Sequence, residues 1–214
     1  GCAMACLNHS GHGGIGLDTA LLNRVQIARL KRSAFFHTQR SEFWKMLIRD
    51  INKLVKRAKK LRLAPAVRLN GTTDTKFEAT PVVIDGVKLA ENIMELFPDV
   101  MFYDYTAWPY AKRPNESLPI NYHLTFSRKE NNEDQIAENI ANGRNVTVVV
   151  DIKSTDKTTP LPTAWRGIPT YSADKSDYRP FDPTGRILIL RYKAAKSTSM
   201  AAAVASGFVV SAHQ

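Results

Sequence analysis

The sequence predicts a single α/β domain on parallel strands, arranged as a partial or complete (β/α) barrel behind two N-terminal helices. Three observations point there. Apolar strand-like runs alternate with helix-like segments from Ala66 onward, turn residues separate them at short intervals, and two amphipathic stretches come first. The predicted organisation is a Cys/His segment (1–16), a helical part (17–62), βα units (63–193) and a C-terminal tail (194–214).

Leu21, Leu22, Val25, Ile27 and Leu30 recur at near-helical spacing, so the first helix is expected from Leu17 to Lys31, with Phe35 and Phe36 marking a turn. Ser41 is the expected N-cap of the second helix. Phe43, Trp44, Leu47, Ile48, Ile51, Leu54, Val55 and Ala58 form its apolar stripe, while Lys45, Arg49, Lys53, Lys56, Arg57, Lys59, Lys60 and Arg62 make its other face basic. Beyond Pro65 the period changes. Strands are expected at Ala66–Asn70 and Val100–Tyr105, with a helix from Lys88 to Phe97 between them. A second unit follows, with strands at Asn121–Thr125 and Val146–Val150 around a helix from Asn132 to Ala141 stopped by Asn142-Gly143. Gly167–Tyr171 and Arg186–Tyr192 complete the strand series.

With 214 residues, 43% hydrophobic and 23% charged, the chain has the makings of one well-buried core and excludes a disordered or fibrous class. No apolar run is long enough to span a bilayer and nothing reads as a signal peptide, so a cytoplasmic setting is expected. The two cysteines have only three residues between them, which excludes a disulfide scaffold and fits a reducing compartment. A net charge of +10 favours polyanionic partners.

Ligands of parallel sheets bind beyond the carboxyl ends of the strands, where successive loops converge. Those ends nominate Asn70, Asp74, Asp104, Asp151 and Lys153 as catalytic candidates, and Arg68, Tyr105, Ser127 and Lys193 as substrate-binding ones. All of Asn70, Asp74, Asp104 and Asp151 are expected to open onto one cavity. Cys2, Cys6, His9 and His12 place two thiols and two imidazoles within eleven residues. That set suits a tetrahedral zinc site, an iron–sulfur cluster completed by a further thiol, or a Cys-x3-Cys-x2-His arrangement. An iron–sulfur cluster would take that further thiol either from upstream residues or from a partner. Three aspartates between Asp174 and Asp182 also suit a divalent cation, although Asp and Pro in that loop read more simply as turn formers. Trp108, in a Pro-flanked loop, is the tryptophan placed to touch a ligand.

The segments Cys2–Leu7, Asn23–Phe36 (NRVQIARLKRSAFF), Pro65–Asp74 (PAVRLNGTTD), Phe97–Thr106 (FPDVMFYDYT) and Asp174–Lys193 together resemble a phage and plasmid family known as gene product eighty-eight. The resemblance implies a partial barrel related to the radical-SAM type, with Cys2 and Cys6 as metal ligands and Arg68, Asn70 and Asp74 at the site. It also implies S-adenosylmethionine as a cofactor, though the glycine-rich motifs that bind it are not evident here. Two function classes follow. One is a phage or mobile-element enzyme with a metal or iron–sulfur centre acting on a small polar substrate. The other is a non-catalytic accessory or replication protein that binds nucleic acid through the basic helix 43–62, with Lys112, Arg113, Arg128 and Lys129 extending the patch, in the host cytoplasm.

Overall fold

The computed structural model describes residues 23–193 and 199–213. They fall into two compact units. One, here the helical unit, comprises Ile27–Asp104 and Glu116–His123; the other, the sheet unit, takes residues 23–26, Tyr105–Asn115 and the described residues from Leu124 on.

Helix α1 runs from Arg24 to Thr38. A reciprocal pair starts it: the Gln26 N–H donates to Asn23 Oδ1 (2.9 Å) and the Asn23 N–H to Gln26 Oε1 (3.0 Å), which satisfies two of the donors a helix start leaves bare. The helix ends later than the apolar spacing suggests. Phe35 and Phe36 are helical rather than a turn, and the expected residues 17–22 lie outside the described ones. Helix α2 spans Arg40–Leu61. Trp44, Ile51 and Ala58, one every two turns, are its buried line. Trp44 sits within edge-on contact of Phe36, Phe43 and Phe77. Ser41 does not cap this helix. Its hydroxyl donates to Asp85 Oδ1 (2.9 Å) and accepts from the Asp85 N–H.

Strand β1 is only Ala66–Val67. In place of the helix expected at 88–97 the chain forms an antiparallel hairpin of β2 (Val82–Ile84) and β3 (Val87–Ala90), then a single turn of helix, α3 (Ile93–Leu96). The hairpin turns on Asp85 and Gly86, whose φ angles of 50° and 82° are those of a two-residue hairpin loop. Strand β4 (Met101–Thr106) lies parallel to β1, with Val67 opposite Phe102. Strand β5 (Tyr122–Ser127) follows, and in this unit the Phe102 N–H donates to the Asn121 carbonyl. Asn121 also donates to the carbonyls of Met94, Phe97 and Val100, closing the end of α3.

Both β4 and β5 continue into the sheet unit. There the second half of β5 pairs in parallel with β6 (Val146–Lys153), β6 with β9 (Ile187–Tyr192) and β9 with β8 (Ile168–Ser172), and β8 carries the short antiparallel β7 (Ala164–Trp165). The tail beyond Ser199 is structured: α5 (Met200–Ala205), N-capped by Ser199, leads to β10 (Val209–Val210), which pairs in parallel with Val149 and Val150 of β6. Since β9 takes one edge of β6, β5 and β10 divide the other between them.

Alternation along β6 sends Val146, Val148, Val150 and Ile152 into a core with Ile136 of α4 (Ile136–Ala141), Ile187, Ile189 and Trp165. Val149 on the opposite face packs with Tyr192, Ala203 and Val209. Burial on both faces explains why Val146–Val150 of β6 and Ile187–Leu190 of β9 are apolar at nearly every position. Among the described residues β1 pairs only with β4 and β7 only with β8, so the strand order keeps two ends and no barrel closes. The fold is a mixed α/β arrangement with a mostly parallel sheet.

Candidate functional site

Two features of the helical unit stand out chemically. The first is the carboxylate of Asp104, fully buried within β4 rather than beyond its end. Val67 and Phe102 lie opposite one another, and the chain just past the end of β1 brings Asn70 to Asp104. The Asn70 N–H donates to Asp104 Oδ1 (2.8 Å); the Asn70 amide (3.1 Å) and the Tyr122 hydroxyl (3.0 Å) donate to Oδ2. Asn70 in turn holds its own loop. Its Oδ1 accepts from the Thr73 hydroxyl (2.7 Å) and the Thr75 N–H (2.9 Å), and its amide also reaches the Thr75 carbonyl. Arg68 Nε donates to the Asn70 carbonyl (3.2 Å).

Burial pushes Asp104 up from 3.8 to about 6, against the hydrogen bonds from Asn70 and Tyr122 and the charge of Arg68, which favour the ionised form. The cluster can hold or release a proton near neutrality, and it ties β1, β4 and β5 together. Asp74 is half-buried in the adjoining loop.

The second feature is the basic face of α2. Its N-terminal half is balanced: Lys45 bonds Glu42 (2.8 Å) and Asp85 (2.9 Å), which raises its own pKa and lowers that of Asp85, while Arg49 and Lys53 flank Asp50. Its C-terminal half is not. Lys56, Arg57, Lys59, Lys60 and Arg62 are all exposed, and among the described residues no carboxylate pairs with them. Ala58 is the last buried residue of the helix, and every residue from Lys59 to Ala64 is exposed. Arg62 ends the helix in the left-handed region (φ 55°). The Leu63 N–H reaches the Ala58 carbonyl (3.0 Å) and the Arg62 N–H that of Lys59 (3.2 Å), a closure in which glycine is the usual residue.

The other nominated residues lie in the sheet unit. Asp151 and Lys153 belong to β6 instead of following it; both are exposed, and Asp151 Oδ1 accepts from the Ala212 N–H (2.9 Å). Ser127 ends β5, half-buried, its carbonyl taken by the Asn132 amide (3.1 Å). Tyr105 is half-buried in β4 and Lys193 is exposed after β9. Trp108 is 43% exposed. Asn70, Arg68 and Asp104 are thus joined directly, whereas Asp151 belongs to the other compact unit.

The patch proposed around Arg113 and Arg128 is corrected. Arg113 is buried, and Arg128, also buried, bonds Glu133 Oε2 (2.6 Å) and the Phe208 carbonyl (2.9 Å), leaving it no exposed charge to offer. Arg144, equally buried, holds Asn115 Oδ1 (2.7 Å) and the Arg113 carbonyl (2.7 Å) with its guanidinium over the Tyr110 ring.

The aspartates of the 174–182 loop diverge to separate arginines, Asp174 to Arg191 and Asp182 to Arg179, both at 2.8 Å. Among the described residues no group of three His, Cys, Asp or Glu side chains is placed to hold a metal, and no helix is long and apolar enough to cross a membrane. Cys2, Cys6, His9 and His12 lie outside the described residues. Sequence reasoning missed Tyr122 as a partner of Asp104 and the strained conformation of Arg62. Only the cations flanking Arg62 were visible as a signal.

No curated protein and no solved structure matches the chain. A family match does exist, and it spans the hairpin, the Asn70–Asp104 cluster, α2 and the strands of both units. Residues 1–212 match the family described as Gene product 88, and the chain belongs to that family.

Proposed function

We propose that the protein binds the phosphate backbone of nucleic acid through the C-terminal half of α2. One observation carries this reading: five exposed cations within seven residues, Lys56 to Arg62, lack acidic partners among the described residues. A cation near a helix C-terminus gains from the helix dipole, but five exceed that need and repel one another. Keeping Arg62 in a conformation that costs roughly 1 kcal/mol for a non-glycine residue is a further sign that its charge is used. The chain's net charge of +10 adds long-range attraction.

Phosphate contacts carry no sequence information, so binding is expected to be sequence-tolerant. The test is a Lys56→Gln, Arg57→Gln, Lys59→Gln, Lys60→Gln variant, checked for unaltered circular dichroism and titrated against labelled DNA at about 100 mM salt. Affinity should fall about 100-fold or more; unchanged affinity would sink the reading.

A second reading is a metal- or iron–sulfur-dependent enzyme, radical-SAM-like and built on a partial barrel. The observation favouring it is the Asp104 carboxyl, buried inside β4 with its pKa raised to about 6 and hydrogen-bonded by Asn70, a range suited to proton transfer. Asn70, Asp74 and Asp104 would then orient a small polar substrate, and Cys2 and Cys6 would hold the metal. Anaerobic purification followed by iron, sulfide and zinc analysis tests it, with a Cys2→Ser, Cys6→Ser variant as control. Absence of all three from the wild type would remove it.

A further inference from the structure

We infer that the end of α2 docks in the major groove of B-form duplex DNA, in preference to a single strand or to duplex RNA; this rests on the phosphate-binding reading above and names its partner. Three observations converge on a duplex. The first is the angular placement of the cations. At 3.6 residues per turn, Lys56 and Lys60 form one ridge roughly opposite the Trp44–Ile51–Ala58 line, with Arg57 roughly 80° to one side of it and Lys59 roughly 80° to the other. A single track of phosphates uses one ridge. Two symmetric flanks suit a groove with a phosphate backbone on each wall.

The second is access. From Lys59 to Ala64 every residue is exposed, including Leu61 at 54% and Leu63 at 63%, so beyond Ala58 no side chain at the end of the helix is buried. A helix about 10–12 Å across with its side chains matches a major groove about 12 Å wide. The major groove of A-form RNA is too deep and narrow to accept it.

The third is the chemistry of the surroundings. Proteins that hold single strands do so largely by stacking bases on aromatic rings. The large exposed hydrophobic side chains of the helical unit are all aliphatic, among them Met46, Leu61, Leu63, Val87 and Leu89. The aromatics of α2 are turned inward: Trp44 is fully buried, and Phe43 is half-buried against Phe35, Phe36 and Trp44. Backbone charge is thus the binding force this surface offers, and it is arranged for two strands.

The experiment is a fluorescence-anisotropy competition on the full chain, with a labelled DNA duplex of about 20 base pairs displaced by unlabelled duplex DNA, by either of its single strands, or by duplex RNA of the same sequence. Duplex DNA should compete about tenfold better, per molecule, than either alternative. An Arg57→Gln, Lys59→Gln variant, which removes both flanks and leaves the ridge, should lose most of that preference. A single strand or duplex RNA competing as well as duplex DNA would overturn the groove assignment while leaving phosphate binding intact. No binding to any of the three would overturn both.

Discussion

Replacing Asp104 with Asn isolates a single buried charge. The wild-type carboxyl is fully buried, and its pKa rises from 3.8 to about 6 mainly because burial disfavours the ion. The folded state therefore binds more protons than the unfolded chain between those values, and stability must fall as pH rises through that window. A shift of about two units corresponds to roughly 3 kcal/mol, absent below about pH 4 and complete above about pH 6. In the Asp104→Asn variant this term is gone. The new amide loses an acceptor for Asn70 Nδ2 and Tyr122, but that cost is the same at every pH. Urea unfolding of both proteins from about pH 3.5 to 7.5 gives the difference curve, in which other titrating groups cancel. Wild-type stability relative to the variant should drop by about 3 kcal/mol between about pH 4 and 7. A flat difference, or one that rises with pH, would refute the reasoning.

Three further outcomes are expected. Arg62→Gly relieves the left-handed strain at the end of α2 and should raise stability by about 1 kcal/mol in chemical unfolding, while weakening DNA binding by the loss of one cation. Arg144→Ala leaves the Arg113 carbonyl and the Asn115 side chain without their buried donor; it should cost about 2–4 kcal/mol by thermal or urea unfolding. Gly86→Val places a β-branched residue at φ 82° in the β2–β3 turn and should destabilise by about 1–2 kcal/mol, with the loss read in hydrogen exchange at Val83 and Lys88.

Strands β6 and β9 were legible because a strand buried on both faces must be apolar at nearly every position, as in Val146-Thr147-Val148-Val149-Val150 and Ile187-Leu188-Ile189-Leu190. The hairpin was missed although Asp85-Gly86 between apolar runs is its signature. The spacing of Leu89, Ile93, Met94 and Leu96 resembles a helix face. Ser41 looked like a cap by type, but Asp85, forty-four residues away, claims its hydroxyl, and such a long-range competitor leaves no local trace. Residues 194–214 were read only as a C-terminal tail, because the short runs at Met200–Ala205 and Val209–Val210 gain their burial only on β6.

Asn70 and Asp104 could be nominated together because parallel strands in register bring equivalent ends side by side. Their hydrogen bonding to one another and their depth were not legible. Asp104 sits inside β4, where the donors of Asn70 and Tyr122 replace water, and no periodicity tells a strand residue facing a partner from one facing solvent. The basic face of α2 was visible in full. Which of its charges are neutralised depended on Asp85, brought in by the unforeseen hairpin.

The central claim is that the five cations at the end of α2, which have no acidic partner among the described residues, grip phosphates. It is tested most directly by the salt dependence of DNA binding, measured by anisotropy between about 50 and 300 mM KCl for the wild type and for the variant with Lys56, Arg57, Lys59 and Lys60 changed to Gln. A plot of log K against log[KCl] should have a slope of about −4 to −5 for the wild type, falling to about −1 in the variant. A wild-type slope near zero, or one that the four substitutions leave unchanged, would contradict it.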